Sequence, residues 1–268
     1  MFSIKYQMRS VSILGGGWLG LPLAILLRNK NWKVKVSTTS IHKIEDFNSF
    51  NLVPYLLTVE KEGYLDSDFL DSEVIVICFP PKFKSENPED YLLKIRHLAL
   101  SISGVDKIKK VVFVSSTSVY EDSDGLKSEP DADINHPLFK AEKILAEKLT
   151  HQKVIVARMA GLMGYDRNPC KYFGIREFVV ESAVNYIHRD DATEILAWLV
   201  EHFEESITLN LSAPNHPTRG QIAEIVCKKQ QPNPKLKTKK GKIINTDLLQ
   251  QIYPKKFLFP DPLKFKYL

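Results

Sequence analysis

The sequence predicts an α/β fold, a Rossmann-type doubly wound parallel sheet with a small C-terminal lobe on the substrate side. Short apolar segments alternate with segments of helical periodicity, the pattern typical of parallel strands joined by right-handed crossover helices. A glycine cluster, Gly15-Gly16-Gly17, joins the first of these strands to the first helix. Of the 268 residues 44% are hydrophobic and 26% are charged, which is ordinary for a globular protein.

The elements predicted for the first half are short strands and two clear helices. Residues 73–79 form a nearly continuous apolar run, as a strand buried on both faces requires. The helix after the glycine cluster has an apolar face, and residues 88–103 repeat apolar side chains at helical spacing. The remaining predicted strands are 11–14, 32–37 and 55–59.

In the second half, an apolar strand from residue 110 runs directly into a hydroxyl-rich turn at 115–120. A polar loop is predicted for 121–135, and a helix is predicted to begin at a cap formed by Asp190 or Asp191. The other predicted helices are 138–149 and 219–228, and the other predicted strands are 154–157, 185–188 and 208–211.

This pattern predicts one domain over residues 1–268. We expect its dinucleotide-binding Rossmann core to comprise residues 9–164 and 185–211. The small lobe on the substrate side would comprise residues 165–184 and 212–268, where the composition shifts to Pro, Asn and Lys.

The glycines of the first turn fit the G-x-G-x-x-G spacing of a dinucleotide-binding site. Gly15 allows the turn, Gly17 lets a pyrophosphate approach the backbone, and Gly20 lets the helix pack closely on the strand. Trp18 and Leu19 lie at the start of the helix, whose free N–H groups and partial positive charge favour phosphate. Glycine clusters also form ordinary strand–helix turns, so the flanking strand and helix supply the context that the motif requires.

The residues after the second strand bear on which dinucleotide binds. Many NAD-binding folds place Asp or Glu there to accept a hydrogen bond from the adenosine 2′-hydroxyl. This chain instead has Ser37, Thr38 and Thr39, with His42 and Lys43 beyond. A carboxylate would repel a 2′-phosphate, whereas hydroxyl donors tolerate it. The sequence therefore favours NADP over NAD, unless Thr38 and its neighbours simply cap the next helix.

Two further strand ends are expected to reach the cofactor. Phe79 and Pro80 follow the strand at 73–79, and Ser115 begins the hydroxyl-rich turn. Binding and catalytic groups concentrate at the carboxyl ends of strands in open α/β sheets. We therefore expect these three residues to contact the dinucleotide.

Charge and cysteine usage restrict the other possibilities. The net charge of +5 is mild, and much of it comes from lysines that a solvated loop or an anion-attracting rim would explain, namely Lys228, Lys229, Lys235, Lys237, Lys239, Lys240 and Lys242. No binding motif accompanies them, so nucleic acid is not an expected partner. Three scattered cysteines predict a reducing compartment without a disulfide framework or metal site. No apolar run approaches membrane-spanning length, so a cytoplasmic protein is expected.

Five blocks in order resemble the extended short-chain dehydrogenase/reductase superfamily, the group that contains the NAD-dependent epimerases and dehydratases. The resemblance covers nearly the whole chain, and several short pieces are similar to one bacterial branch, the YeeZ-like atypical members. The blocks are Gly15 to Gly20, Ser115 to Tyr120, Phe139 to Lys143, Arg158 to Gly164, and Tyr186 to Asp191.

The resemblance implies catalytic positions at Ser116, for the substrate hydrogen bond, and at Lys143, which in the superfamily also holds the nicotinamide ribose. The position of the superfamily's proton-transferring Tyr is occupied by Phe139. Phenylalanine cannot exchange a proton, and a general acid or base contributes about 10²–10⁴ in rate. Groups that could substitute are each more often structural, namely Tyr120, His136, Tyr165, Tyr172 and His188.

Two functions remain open at this stage. One is an oxidoreductase or epimerase acting on a polar small molecule, possibly nucleotide-linked, with a displaced acid or base. The other is a dinucleotide-binding sensor without turnover. Thr117 and Ser118 stand where the superfamily's dehydratases carry Asp-Glu, which argues against sugar-nucleotide 4,6-dehydration. Superfamily members often pair through the helices that match 88–103 and 138–149, so a homodimer is a further hypothesis.

Overall fold

The computed structural model describes residues 8–63, 65–83, 85–171, 180–228 and 241–267. Its main feature is a seven-stranded parallel sheet in the order β10-β7-β5-β4-β1-β2-β3, which confirms the predicted fold class. The sheet strands are β1 (Ser10–Leu14), β2 (Lys33–Thr38), β3 (Val53–Leu56), β4 (Val74–Ile77), β5 (Lys110–Ser116), β7 (Lys153–Met159) and β10 (Ile207–Leu211).

Two small parallel pairs accompany this sheet. They are formed by β6 (Gly125–Lys127) with β11 (Lys242–Ile244), and by β8 (Gly161–Met163) with β9 (Tyr186–His188). The helices are α1 (Gly20–Asn29), α2 (Lys43–Ser49), α3 (Ser67–Leu70), α4 (Pro88–Ser103), α5 (Pro137–Lys148), α6 (Arg189–His202), α7 (Arg219–Gln221) and α8 (Asp247–Ile252).

The centre of the sheet is apolar because it is covered on both faces. All residues of β1 and β4 are buried, and the strands pair in parallel with Ile13 opposite Val76. Helix α1 buries one stripe, Leu23, Ala24 and Leu27, at the spacing of one helix face. Helix α4 packs against α5.

Two buried lysines bind backbone carbonyls at helix ends. The Lys110 Nζ donates to the Val200 carbonyl at 3.0 Å and to the Glu204 carboxylate at 2.9 Å, close to the C-terminus of α6. The Lys35 Nζ donates to the carbonyl of Asp68 in α3. Cations near a helix C-terminus satisfy its free carbonyls and its partial negative charge. These lysines therefore fix helices on the sheet.

The chain divides into two compact units. The first comprises Met1–Val114, Pro137–Val156 and Leu196–Ile207, and the second comprises Ser115–His136, Ala157–Ile195 and Thr208–Leu268. The division predicted from composition, a core of 9–164 and 185–211 with a lobe of the remaining residues, stays a prediction.

Three sequence predictions about local structure need correction. Residues 121–135 are not simply a loop, because they contain β6, which pairs with β11 far along the chain. The third strand ends at Leu56, earlier than predicted. Neither Asp190 nor Asp191 caps α6, because both lie within its first turn and the Asp191 carboxylate accepts hydrogen bonds elsewhere.

The expectation of no disulfide is also wrong. Cys170 and Cys227 form a disulfide within the second unit, with their Cα atoms 5.3 Å apart. Such a distance lies in the usual range for a disulfide. The two residues are 57 positions apart in the chain, so spacing alone could not reveal that they meet. Cys78 is the free cysteine.

No helix in the described part of the chain combines the length and the apolar composition that crossing a membrane requires.

Candidate functional site

The site begins at the turn between β1 and α1. Gly15 has a positive φ of 104°, a backbone conformation that side chains rarely adopt. The Ser37 hydroxyl accepts a hydrogen bond from the Gly15 N–H at 2.9 Å, and the Gly16 N–H donates to the Ser37 carbonyl at 2.7 Å. The end of β2 therefore holds the turn in place.

Helix α1 starts immediately beyond this turn. A Cβ on Gly20 would overlap the carbonyl oxygen of Gly15, so only glycine allows the helix to pack so closely. A Cβ on Gly17 would meet no atom within 4 Å. Leu19 occupies the N-cap position without a side-chain hydrogen bond to the helix. Leu19 therefore leaves the positive end of this ten-residue helix uncapped by its own side chain.

A pocket of about 250 Å³ opens beside the turn, within the first unit. Its walls come from the carboxyl ends of β1, β2, β3 and β4 and from α4. Of the predicted cofactor residues, the lining includes Gly15, Gly17, Ser37, Thr38, Thr39, Phe79 and Pro80. Trp18, Leu19 and Gly20 are not in the lining but form the adjoining start of α1.

Other lining residues were missed from the sequence. Leu57, Thr58 and Val59 follow β3, and Tyr91 lies on α4. The signal that could have identified the first three is their place at a strand's carboxyl end. Tyr91 could not have been identified in this way, because it looks like an ordinary core residue of an amphipathic helix. Its ring packs edge-on against Phe79 at 5.7 Å between centroids.

The lining carries three lysines and one carboxylate. Lys94 donates to Glu86 at 3.2 Å, and Lys82 lies 3.7 Å from the same carboxylate. Lys43 is exposed at the start of α2, on the β2 side of the pocket. The ionisable lining residues therefore carry an excess of positive charge, which favours an anionic ligand.

The predicted catalytic residues lie in different units. Phe139 and Lys143 are on α5 in the first unit, and Ser115 and Ser116 are in the second. The Lys143 side chain is 64% exposed and lies 3.7 Å from the Glu147 carboxylate one turn along the helix. Ser115 is buried, and the Ser116 hydroxyl accepts from the Ser118 N–H at 3.1 Å, which caps a short 3₁₀ turn.

A comparison with known proteins decides the family. The chain is 31% identical to Protein YeeZ of Escherichia coli K12 over 272 residues, covering 96% of this chain and 98% of that protein. The chain belongs to the family of YeeZ proteins. No model of a known protein family matches it.

Solved structures agree on the fold. A Methylobacillus flagellatus protein regarded as a candidate NAD-dependent epimerase/dehydratase is similar, with a TM-score of 0.73, 19% identity and 95% of both chains covered. The UDP-N-acetylglucosamine 4-epimerase of Bacillus cereus has a TM-score of 0.71, 14% identity and 94% coverage of both chains.

In this YeeZ-like chain, Tyr120 is a structural residue. Its hydroxyl is buried, donates to Asn210 at 2.6 Å and accepts from Arg158 at 2.9 Å. Burial raises the pKa of Tyr120, while Arg158 acts against that rise. Arg158 also donates to the Glu129 carbonyl at 2.7 Å. A hydroxyl engaged in this way does not fit the role of a substitute general acid.

His188 and Asp191 hold the C-terminal segment of the YeeZ-like chain. The buried Asp191 carboxylate accepts from the Leu258 N–H at 2.6 Å and from the Phe259 N–H at 2.9 Å. The fully buried His188 ring packs on the Phe259 ring, with 3.9 Å between the ring centroids.

The other residues that could have replaced the family's tyrosine are in different situations. The Tyr165 hydroxyl donates to the Asp190 carboxylate at 2.7 Å, His136 is half-buried, and Tyr172 lies outside the described residues. Lys229, Lys235, Lys237, Lys239 and Lys240 lie outside them as well.

His188 makes stability depend on pH. Burial lowers its pKa below the ordinary 6.5, and its Nδ1 accepts from the Asp190 N–H at 3.2 Å, as only a neutral ring can. The unfolded chain therefore binds more protons in mildly acidic solution, and stability falls as the pH drops below about 6.5. Burial lowers the pKa of His216 in the same direction.

We expect the variant H188N to reduce this dependence between pH 7.5 and 5.5 without abolishing it, since His216 remains. Each affected histidine removes up to about 1.4 kcal/mol per pH unit. The measurement is urea unfolding at each pH, and H42N, at an exposed position, is the control. An equal slope in H188N and the parent protein would contradict the assignment.

Proposed function

We propose that this chain binds a nicotinamide dinucleotide at the pocket beside the Gly15–Gly20 turn. The observation that carries the proposal is the open space at Gly17, next to a helix N-terminus without a side-chain cap. A pyrophosphate needs that approach to the backbone and gains from the positive helix end. The sequence resemblance to the extended short-chain dehydrogenases/reductases and the fold shared with a candidate NAD-dependent epimerase/dehydratase support the same ligand class. When bound, the nicotinamide ring supplies or accepts a hydride.

The variant G17A tests the phosphate contact. Alanine fits the apoprotein, because nothing lies within 4 Å of the added methyl group. The methyl group would occupy the space assigned to the pyrophosphate, so we expect affinity to fall about tenfold or more, equivalent to about 1.4 kcal/mol. Calorimetric titration with NAD⁺, NADH, NADP⁺ and NADPH measures this loss.

G20A is the contrasting variant. Its methyl group would collide with the Gly15 carbonyl, so it is expected to destabilise the fold as well as binding. If the unaltered chain binds none of the four dinucleotides, the proposed function is wrong. If G17A binds the dinucleotides as tightly as the unaltered chain, the proposed contact between the pyrophosphate and the Gly17 backbone is wrong.

We further propose that the phosphorylated dinucleotide, NADP, is preferred over NAD. The end of β2 carries Thr38 and Thr39 with Lys43 close behind, and no carboxylate stands at this strand end. Glu86, the carboxylate in the described lining, follows β4 and pairs with Lys94. Ser37 contributes indirectly, since its hydroxyl holds Gly15. A 2′-phosphate would therefore meet hydroxyl groups and a cation.

K43M is expected to weaken NADPH binding about tenfold and to leave NADH binding unchanged, because only NADPH carries the 2′-phosphate. K148M is the matched control, since Lys148 is exposed at the last turn of α5 and outside the pocket lining. Parallel titrations of both variants decide the point. Tighter binding of NAD than of NADP by the unaltered chain would refute the preference.

The reaction we propose is oxidation, reduction or epimerisation of a polar substrate, possibly one linked to a nucleotide. Ser116 would bind the substrate and Lys143 the nicotinamide ribose, as the family pattern implies. The ion pair of Lys143 with Glu147 is exposed and therefore weak enough to exchange for a ribose contact. Phe139 favours the second candidate function, a sensor that binds the dinucleotide without turnover.

F139Y separates these two functions. Restoring a phenol one helical turn before Lys143 supplies the missing acid, which is worth about 10²–10⁴ in rate. If the rest of the site is competent, F139Y should gain NADPH-dependent reductase activity over a panel of carbonyl compounds. The double variant F139Y/K143M should lose the gain. Binding without turnover in every variant would favour the sensor.

Regarding partners, we propose a homodimer that packs through α4 and α5. The outer stripe of α4 exposes Leu93 and Leu100, which are 41% and 42% accessible. Light scattering should give twice the monomer mass, and L93E/L100E should give the monomer. We infer cytoplasmic residence and no nucleic-acid partner from the composition and from the lack of a binding motif.

A further inference from the structure

The disulfide of the second unit lies beside an unusual helical segment. Cys227 directly follows Ile222–Val226, which is wound as a π-helix, and Cys170 lies in the 3₁₀ turn Pro169–Lys171. Both cysteines are half-buried. A disulfide between residues 57 positions apart is expected to stabilise the fold. Its position next to the π-helical segment suggests a second role.

The π winding needs an explanation. The Cys227 N–H donates to the Ile222 carbonyl at 3.1 Å, five residues back rather than four. Such segments are rare, because the α winding is the default for most sequences. The residues concerned, Ile-Ala-Glu-Ile-Val, contain neither glycine nor proline that would disfavour an α-helix.

The start of this helical segment is anchored without help from the disulfide. Thr218 and Gln221 form a reciprocal capping box. The Arg219 N–H donates to the Ser182 carbonyl at 2.8 Å, and the Gly220 N–H donates to the Val180 carbonyl at 3.0 Å. The first turn is fixed. If the backbone hydrogen bonds beyond it shift from five residues back to four, the residues that follow rotate about the helix axis by about 100°, the angle of one residue. The winding therefore decides which way Cys227 faces.

We propose that the Cys170–Cys227 disulfide is a reversible redox switch that holds residues 222–227 in the π winding. In the reduced protein, the same residues take the α winding and the two sulfurs move apart. The switch is independent of the proposed dinucleotide site, because it requires only residues of the second unit.

The chemistry is thiol–disulfide exchange with a small disulfide such as oxidised glutathione. One protein thiolate attacks a glutathione sulfur and displaces the first glutathione thiolate. The second protein thiolate then attacks the protein sulfur of the mixed disulfide and displaces the second. Two protein thiols are oxidised, one glutathione disulfide is reduced to two thiols, and the two protons pass to the released glutathione. Reduced glutathione reverses both steps.

Cys78 provides an internal control. Burial raises the pKa of its thiol to about 12, so little of this thiol is thiolate at neutral pH. It also lies in the first unit, whereas the switch lies in the second. C78S should therefore leave the redox response intact.

The test equilibrates the native protein in buffers of defined glutathione ratio and measures two properties. Mass spectrometry after thiol alkylation should show a reversible change of two thiols. Hydrogen exchange should show the rates of the backbone amides of 223–227 differing at least tenfold between the oxidised and reduced protein, with those of β9 unchanged. C170S should show the reduced pattern in every buffer, and C78S should respond like the unaltered chain.

Two results would overturn the switch. One is a pair of thiols that glutathione neither oxidises nor reduces in the native protein. The other is an exchange rate at 223–227 that is the same in both redox states, which would make the disulfide a plain crosslink. Neither result depends on whether a dinucleotide binds.

Discussion

The close approach of helix α1 to the turn before it is the constraint on which the first unit depends. No side chain fits between Gly20 and the Gly15 carbonyl, and the Ser37 hydroxyl and carbonyl hold the two turn amides from the next strand. Together these contacts bring a helix N-terminus to the pocket formed by four strand ends. The proposed ligand class therefore rests on backbone geometry more than on any charged side chain.

The second unit is organised by buried polar groups that are paired with one another or with backbone. Tyr120, Asn210 and Arg158 form one hydrogen-bonded network, and Asp191 binds two consecutive backbone amides of the C-terminal segment. Buried polar groups are costly without partners, so such networks define one arrangement of the chain. The histidine and aspartate of the family motif serve this arrangement here. Their hydrogen bonds are structural, so they do not fit the role of a substitute acid or base.

Features carried by neighbouring residues could be read from the sequence. The strands β1 and β4, the helix α4 and the glycine turn all follow from apolar periodicity or from glycine spacing within about ten residues. The five lining residues predicted from strand ends, Ser37, Thr38, Thr39, Phe79 and Pro80, follow from the rule that parallel strands present their carboxyl ends to one edge. Tyr91 and Lys94 were not predicted to line the pocket. The periodicity of a helix shows which of its faces is buried, but it does not show what packs against that face.

The sequence by itself predicted the strands of the sheet and the glycine turn, since apolar periodicity and glycine spacing within short stretches of chain encode both. Only the tertiary structure decided the pairing of β6 with β11, the Cys170–Cys227 bond and the use of Asp191 as a clamp for Leu258 and Phe259. Each of these joins residues more than 50 positions apart. Such partners meet only after the whole chain has packed, because no local pattern encodes which distant backbone group or sulfur will arrive.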